Sequence, residues 1–406
     1  MIVGVPKETF PDERRVALTP DAVGVLAKLK VEVVIETGAG QAAGFVDDAY
    51  KAKGARIAAN RAEVFQDAQI IAQVRCYGAN PDNGSGDLDL LKPDQIVIGH
   101  CEPLMAHEPN KAITAKGSTV FAMELIPRTT RAQAMDVLSS QANLAGYKGV
   151  LIATEHLRKV FPMMMTPAGT IKPSRVFIVG AGVAGLQAIA TAKRLGSIVS
   201  AIDVRPAVKE QVESLGAKFI APPGMAEGEG GYAAELTDEQ KAEQQKMMAD
   251  TIAESDVVIT TAAIPGRPSP KLIAADVVAR MKPGAVIVDL ASERGGNCEL
   301  TEPGKIIEKN GVTIVGLTNV ASLVAQDATV MYAGNIVNLL KLMFDKEGNF
   351  KLNMEDDVIA GTVMCKDGEI VHPKVRELMG LPALEQPAEE KPAEEAPASD
   401  EKGSDA

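Results

Sequence analysis

The chain has 406 residues, 46% of them hydrophobic, which is enough for two domains that each bury a core of their own. Its formal net charge of -12 argues against nucleic acid or an anionic membrane as a direct partner, and no stretch of about 18 apolar residues predicts a membrane-spanning helix. The four cysteines lie far apart without a C-x-x-C spacing, which argues against a zinc site or a redox pair and favours reduced thiols.

The first third of the chain alternates short β-branched runs with helical patterns. The runs occupy residues 2–5, 31–35, 70–74 and 95–98, and a helical pattern lies at 21–29. This alternation predicts a parallel sheet covered by helices.

Apolar residues then recur at helical spacing over residues 132–160, and we interpret this segment as a long helix that connects two domains.

A second series of strands and helices follows the connector. Its predicted strands occupy residues 176–179, 198–202, 218–220, 257–259, 285–289 and 313–315. The helical pattern at 322–344 is longer than a final crossover requires, so we expect it to return to the first domain. The predicted fold class is α/β, with two Rossmann-like doubly wound parallel-sheet domains, the second inserted in the first, and a cleft between them. The expected domains are 1–137 plus 322–380, and 138–321.

The last segment, residues 381–406, is rich in Pro, Ala and Glu and shows no periodicity. It holds eight acidic and two basic residues, which account for half of the formal net charge of -12. This composition predicts a disordered acidic tail.

The strongest motif is the glycine-rich sequence Gly180-Ala-Gly182-Val-Ala-Gly185, which follows the apolar run 175–179 and opens a helical pattern at 186–195. Gly180 permits a tight turn, Gly182 lets the backbone approach a pyrophosphate, and Gly185 allows close packing of helix on strand. The N-terminus of the helix then faces the phosphate charge. A G-x-G-x-x-G motif alone is weak evidence, but strand, glycines and helix in this order predict a dinucleotide site.

Asp203 stands at the end of the next predicted strand, 18 positions after Gly185. A carboxylate there accepts hydrogen bonds from the adenosine ribose hydroxyls and repels a 2′-phosphate, which favours NAD over NADP. Arg205 offers a partner to a 2′-phosphate, so NADP stays an alternative at this point. Ala262 follows a further predicted strand at the carboxyl edge of the sheet, where nucleotides bind in doubly wound folds.

Five unbroken runs add a resemblance to a known family. They are Met-Glu-Leu-Ile-Pro-Arg128 with its continuation to residue 147, and the segments 161–169, 185–196, 210–216 and 295–298. With most of residues 1–382, they resemble the NAD(H)-binding alpha component of proton-translocating nicotinamide nucleotide transhydrogenases. The resemblance implies NAD(H) as the cofactor and direct hydride transfer between it and NADP(H) bound by a partner component. It also implies membrane-spanning partner components, a homodimer, and a cytoplasmic location, peripheral on the cytoplasmic face of the inner membrane.

The resemblance also assigns catalytic roles to individual residues. Arg128, Gln133, Asp136 and Ser139 match a loop that reaches across the cleft toward the nicotinamide, where polar groups orient the ring for hydride transfer. From the residues alone, Gln133, Asp136 and Ser139 would share one helical face. The alternative is then a solvated face that carries an Arg–Asp pair.

Gly231 and Tyr232 match a loop that is mobile in that family and closes over the nucleotide, although an ordinary exposed loop is the alternative. No metal site is expected. The full set of expected cofactor-binding residues is Gly180, Gly182, Val183, Gly185, Asp203, Val204, Arg205, Gly231, Tyr232 and Ala262.

Alanine dehydrogenases share this architecture and resemble the chain around Arg15 and at 289–296, so NAD-dependent alanine dehydrogenase is the alternative function. In that family a Lys and a His hold the substrate's oxygens and move its proton. Here His100 is present, but Arg75 takes the Lys position and Glu293 takes the position of an Asp. An Arg does not readily release a proton, which argues against proton chemistry, and Arg15 is expected to serve structure or a nucleotide contact. A non-catalytic NAD(H) sensor is a third interpretation.

Overall fold

The computed structural model describes residues 1–221, 237–345 and 347–384. Strands and helices alternate through the first 156 residues. The strands are β1 (Ile2–Val5), β2 (Glu32–Glu36), β3 (Arg56–Ala58), β4 (Ile70–Arg75), β5 (Ile96–His100) and β6 (Thr119–Ala122). The helices are α1 (Pro20–Lys28), α2 (Asp47–Ala52), α3 (Arg61–Asp67), α4 (His107–Thr114) and α5 (Val137–His156). Every residue of β4 is buried, as expected for a parallel strand covered by helices on both faces.

The second series of elements follows a short hairpin. The hairpin strands are β7 (Met164–Thr166) and β8 (Gly169–Ile171), and the next strands are β9 (Arg175–Val179), β10 (Ile198–Ile202), β11 (Lys218–Phe219), β12 (Val257–Thr260), β13 (Val286–Asp289), β14 (Ile306–Lys309) and β15 (Val312–Val315). The helices among them are α6 (Val183–Arg194), α7 (Lys209–Ser214), α8 (Asp238–Glu254) and α9 (Ala275–Ala279). The chain then forms α10 (Ala325–Leu340), α11 (Asp357–Thr362), β16 (Val363–Lys366), β17 (Glu369–Ile370) and α12 (Pro373–Leu378).

The strands form two large sheets and the separate hairpin. The first sheet has the order β17-β16-β6-β5-β4-β1-β2-β3, and the second has the order β11-β10-β9-β12-β13-β15-β14. In each sheet six consecutive neighbours are parallel and follow the order third, second, first, fourth, fifth, sixth, which is the doubly wound arrangement. Because β16 pairs with β6 and β17 pairs with β16, the second sheet is built from chain inserted within the first. The predicted fold class is confirmed.

Each sheet has its own core. The core of the first sheet includes Leu26 of α1 and Ile336 of α10, packed on the central strands. On the second sheet, Val176 and Ile178 contribute to one apolar cluster and Phe177 to another, because successive side chains of β9 point to opposite faces. The connector α5 packs against both α6 and α10, so it contacts both halves of the molecule. Within the described residues, no helix is both long and apolar enough to cross a membrane.

Two predicted helices are shorter than their apolar patterns. The helix expected at 132–160 is α5, which begins only at Val137, because the Asp136 side chain caps it and a 3-10 turn occupies Gln133–Met135. The helix expected at 322–344 is α10, which begins at Ala325 after the 3-10 segment Val320–Val324. Apolar periodicity extends past both helices, since neighbouring turns also bury apolar side chains.

Candidate nucleotide-binding site

The glycine motif forms the turn between β9 and α6, at the carboxyl edge of the second sheet. Gly180 has a φ of 96°, a left-handed conformation that favours glycine. A Cβ atom on Gly185 would lie 1.9 Å from the carbonyl oxygen of Gly180, so only glycine lets the helix approach the turn this closely. Gly182 is the N-cap of α6, and no side chain among the described residues caps that end, which leaves backbone N–H groups available to an anion.

Asp203 directly follows β10, as predicted. Its Oδ2 accepts a hydrogen bond from the backbone N–H of Ala181 at 2.7 Å, beside the glycine turn. Its Oδ1 accepts from the backbone N–H of Arg205 at 2.9 Å and from Nε of Arg205 at 3.0 Å. Burial opposes the charge, but the hydrogen bonds, led by that of the Arg205 side chain, hold the pKa of Asp203 below its usual value. The ionised carboxylate can therefore accept hydrogen bonds from ribose hydroxyls, and Arg205 is already paired with it.

Apolar and backbone groups surround the same turn. Val183, in the first turn of α6, is 42% exposed, and Val204, beside Asp203, is 51% exposed. Ala262 follows β12, which pairs with β9 on the side opposite to β10. The expected cofactor residues thus divide between the two sides of β9, where the strand order reverses and doubly wound folds bind nucleotides. Gly231 and Tyr232 lie outside the described residues.

The structure joins two of the four residues expected at the nicotinamide. Asp136 accepts hydrogen bonds from the backbone N–H of Ser139 at 2.9 Å and from its hydroxyl at 2.5 Å. Arg128 and Gln133 are exposed, and within the described residues neither side chain has a hydrogen-bond partner. The expectation that Gln133 shares a helical face with Asp136 and Ser139 is wrong, because Gln133 lies in the 3-10 turn before α5. Arg128 lies in the loop before that turn.

A buried carboxylate, Glu13, binds two arginines at the carboxyl edge of the first sheet. Arg15 donates to it from Nε at 2.8 Å and from Nη2 at 2.6 Å, and Arg75 donates from Nε at 3.4 Å. Arg15 also donates to the side-chain oxygens of Gln141 and Asn319, both at 2.9 Å. Burial opposes the charge of Glu13, but attraction to Arg15, and then to Arg75, prevails and lowers its pKa to about 2. Both guanidinium groups are thus bound by groups of the chain itself.

Two ion pairs cross from the first sheet to the loop after β13. Arg75, at the end of β4, donates from Nη1 to Oε1 of Glu293 at 2.6 Å. Arg294 donates from Nη2 to both carboxylate oxygens of Glu102 at 3.0 Å. The Arg75 guanidinium also lies 4.0 Å from the ring centre of Phe10. Because the four charged groups stand at or just after the carboxyl ends of their strands, the carboxyl edges of the two sheets meet here.

His100, at the end of β5, is packed among protein groups. Its Nδ1 lies 3.5 Å from Oε1 of Glu124, and its ring centre lies 5.6 Å from that of Tyr332. The same Glu124 oxygen accepts the backbone N–H groups of Cys101 and Glu102, both at 2.8 Å. Burial opposes ionisation, but attraction to His100 and these hydrogen bonds hold the pKa of Glu124 below its usual value.

Three residues that organise this region were not predicted from the sequence: Glu13, Asp289 and Asn297. Glu13 stands two residues before Arg15, a spacing that carries no signal by itself. Asp289 and Asn297 are almost wholly buried and hold the loop after β13. Their one signal was an acidic residue at the end of a buried strand, followed shortly by Gly295-Gly296-Asn297.

Comparisons with known proteins cover nearly the whole chain. Family models described as alanine dehydrogenase/PNT, N-terminal domain, and alanine dehydrogenase/PNT, C-terminal domain, match residues 4–145 and 149–373. An NAD(P) transhydrogenase subunit alpha polypeptide of Rhodospirillum rubrum is 47% identical over 378 residues, 92% of this chain and 98% of the relative. The crystal structure of transhydrogenase from Sinorhizobium meliloti aligns with a TM-score of 0.79 and 44% identity, over 92% of this chain and 99% of that one. An L-alanine dehydrogenase structure aligns with a TM-score of 0.76 and 25% identity, over 94% and 99%. The TM-scores of the transhydrogenase and the alanine dehydrogenase are therefore nearly equal, whereas the sequence identity to the transhydrogenase is clearly higher.

Proposed function

Because the chain belongs to the alanine dehydrogenase/PNT family, we propose that it is the NAD(H)-binding component of a nicotinamide nucleotide transhydrogenase. When bound, the nicotinamide gives or takes a hydride, which passes directly to or from NADP(H) on a partner component. The 47% identity to the Rhodospirillum rubrum transhydrogenase subunit supports this function. The glycine turn, the uncapped end of α6 and Asp203 supply one dinucleotide site.

A structural observation that supports transhydrogenase over alanine dehydrogenase is that Arg15 and Arg75 are already bound by carboxylates of the chain. A dehydrogenase that oxidises an amino acid needs a cation free to bind the substrate carboxylate and a group that moves a proton. Both arginines instead bind Glu13, and Arg75 also binds Glu293. Hydride transfer between two nicotinamides needs neither group, because the reaction requires position and exclusion of water.

We propose that the site residues act through binding and orientation. Gly180, Gly182 and Gly185 bring backbone N–H groups of the turn and of α6 to the pyrophosphate. The carboxylate of Asp203 accepts hydrogen bonds from the adenosine ribose and repels a 2′-phosphate, while its pairing keeps Arg205 from binding one. The remaining proposed cofactor contacts are Val183, Val204, Arg205, Gly231, Tyr232 and Ala262.

The nicotinamide end is assigned to the segment before α5 and to its first turn. We propose that Arg128, Gln133, Asp136 and Ser139 orient the ring and its carboxamide. The bond between Asp136 and Ser139 fixes two of these groups relative to each other. Arg128 and Gln133 are exposed and can donate to a ligand or to a partner protein.

The arrangement of the complete enzyme also belongs to this proposal. The relative's designation as an alpha subunit supports the presence of further components. We propose that these bind NADP(H) and carry a proton path across a membrane, that this chain forms a homodimer, and that it is peripheral on the cytoplasmic face of the inner membrane. The proposed domain boundaries are 1–137 plus 322–380, and 138–321.

Two measurements test the proposed function. The purified chain is mixed with NAD and L-alanine at mildly alkaline pH and followed at 340 nm, where sustained NADH formation would establish alanine dehydrogenase instead. The chain is then combined with its NADP(H)-binding partner, with NADH deuterated at the transferred position and NADP+. Direct transfer places the deuterium in NADPH without loss to water, and its appearance in water would contradict the proposal.

A further inference from the structure

Asn297 is a fully buried side chain that binds the backbone at the proposed nucleotide edge. Its Oδ1 accepts a hydrogen bond from the backbone N–H of Ala262 at 3.1 Å, and its Nδ2 donates to the carbonyl oxygen of Ala262 at 2.8 Å. The same Nδ2 donates to the carbonyl oxygen of Pro270 at 2.9 Å. One side chain therefore satisfies both backbone polar groups of Ala262, just beyond β12. An amide suits this position because it combines a donor and an acceptor.

Asn297 is itself held by the buried carboxylate of Asp289. Oδ2 of Asp289 accepts from the backbone N–H of Asn297 at 2.7 Å and from the Thr301 hydroxyl at 2.7 Å. Oδ1 of Asp289 accepts from the Thr260 hydroxyl at 2.9 Å and from the backbone N–H of Ala291 at 3.1 Å. The carboxylate thus joins the end of β12 to the loop after β13. This network fixes the amide of Asn297 and so the peptide units that it binds.

Ala262 and Asp203 lie on opposite sides of the glycine turn. β10, which precedes Asp203, and β12, which precedes Ala262, are the two neighbours of β9. In doubly wound sheets a dinucleotide lies across this point, with its pyrophosphate over the turn and its two halves on either side. Because Asp203 faces the adenosine half, Ala262 lies on the side of the nicotinamide half.

We propose that Asn297 is a positioning residue, which fixes Ala262 for contact with the nicotinamide half of the bound dinucleotide. This inference rests on the proposed binding of NAD(H). Asn297 does not touch the ligand but acts through the backbone of residue 262. Replacement by alanine would leave that backbone without its two hydrogen bonds and free to leave its position.

The test compares binding of NADH with binding of AMP, which carries only the adenosine half. N297A is expected to weaken NADH binding about tenfold, equivalent to about 1.4 kcal/mol, and to leave AMP binding within about twofold of the wild type. N297D keeps the shape and the acceptor but turns a carboxylate toward two carbonyl oxygens, so we expect at least the same loss of NADH affinity. Retained AMP binding shows that each variant has a folded second domain.

The matched control is Asn110→Ala. Asn110 is also fully buried, and its amide donates to the carbonyl oxygen of Cys101 at 3.0 Å, within the first sheet's half of the molecule. This control should leave the affinities for NADH and AMP unchanged. NADH binding by N297A within twofold of the wild type would overturn the inference, and so would an equal loss of NADH and AMP binding. A wild-type chain that binds AMP but no NADH would overturn the proposed function itself, and the inference with it.

Discussion

The buried carboxylate of Glu13 makes a sharp prediction, because two arginines depend on it. Glu13→Gln removes the negative charge while Arg15 and Arg75 remain buried. Breaking one side of a buried ion pair costs about 3–5 kcal/mol. The pKa gives a similar magnitude, since lowering it from 4.5 to about 2 corresponds to about 3 kcal/mol. We therefore expect E13Q to lose about 3 kcal/mol of unfolding free energy at pH 7.

The assay is urea unfolding followed by circular dichroism at several pH values. A carboxyl group whose pKa is lower in the folded state stabilises the fold above its unfolded pKa, and this contribution is lost as pH falls from 4.5 to about 2. Wild-type stability should fall through that window more steeply than the stability of E13Q. Glu293→Gln is the control and should cost less than about 1 kcal/mol, because this partner of Arg75 is 42% exposed. An E13Q variant as stable as the wild type at pH 7, or one that oxidises alanine, would refute the reasoning.

Three further changes test other regions of the site and fold. Gly185→Ala places a Cβ atom 1.9 Å from the Gly180 carbonyl oxygen, so NADH affinity in a fluorescence titration should fall at least about tenfold, and unchanged affinity would contradict the assigned turn. Asp203→Ser removes the charge that engages Arg205, so the ratio of NADPH to NADH affinity should rise about tenfold or more in competition binding, and a constant ratio would argue against this selectivity. Burial, and then repulsion by the carboxylate of Glu13, raises the pKa of Glu8 to about 7, so the protonated form of Glu8 is favoured in the folded state. The free energy of unfolding, measured in urea, should therefore decline by up to about 3 kcal/mol between pH 4.5 and 7, and Glu8→Gln should remove this decline. An equal dependence of stability on pH in the wild type and in this variant would exclude a contribution of Glu8.

Strand prediction succeeded for most buried strands of the parallel sheets, although the buried strand β6 was not predicted. The bounds predicted for β1 and β10 match the structure, since residues 2–5 and 198–202 are mostly apolar or β-branched. The strands β3, β7, β8, β14, β16 and β17 were missed as well. For β16, the pairing with β6 joins Val363 to Phe121, and such a long-range register leaves no local pattern in a four-residue strand.

Helix boundaries depended on capping groups that the apolar period does not report. The pattern at 132–160 continues through the turn Gln133–Met135, because Met135 and Ala132 are buried there too. The carboxylate of Asp136 then accepts the backbone N–H of Ser139 and starts the helix one residue later. An aspartate just before an apolar helical run is a typical N-cap, so a helix start at 137 is consistent with the sequence around Asp136.

The candidate site also has a part that the sequence predicts and a part that it does not. Local motifs are predictable, whereas pairs of residues far apart in the chain are not. The glycine turn and Asp203 lie within one strand–helix–strand unit, so their geometry follows from the sequence order. The partners of Arg75 could not be found in this way, because Glu13 is 62 residues away and Glu293 is 218. Glu13 meets Arg75 at the edge of the first sheet, and the meeting of the two sheets brings Glu293 to the same guanidinium.

The resemblance to alanine dehydrogenases implies a Lys where this chain has Arg75, and the two side chains suit different tasks at the first sheet's edge. A lysine is a point charge that can lose a proton in a buried site, whereas a guanidinium stays charged and presents several donors in a fixed plane. Arg75 uses that plane to bind Glu13 within its own sheet and Glu293 across the cleft. The proposed hydride transfer requires no proton from the protein, which leaves these groups free for structure. The loop that carries Glu293 also carries Asn297. The ion pair between the two sheets therefore lies a few residues from the amide that binds Ala262. Charge at this edge therefore helps to hold the loop that borders the proposed nucleotide site.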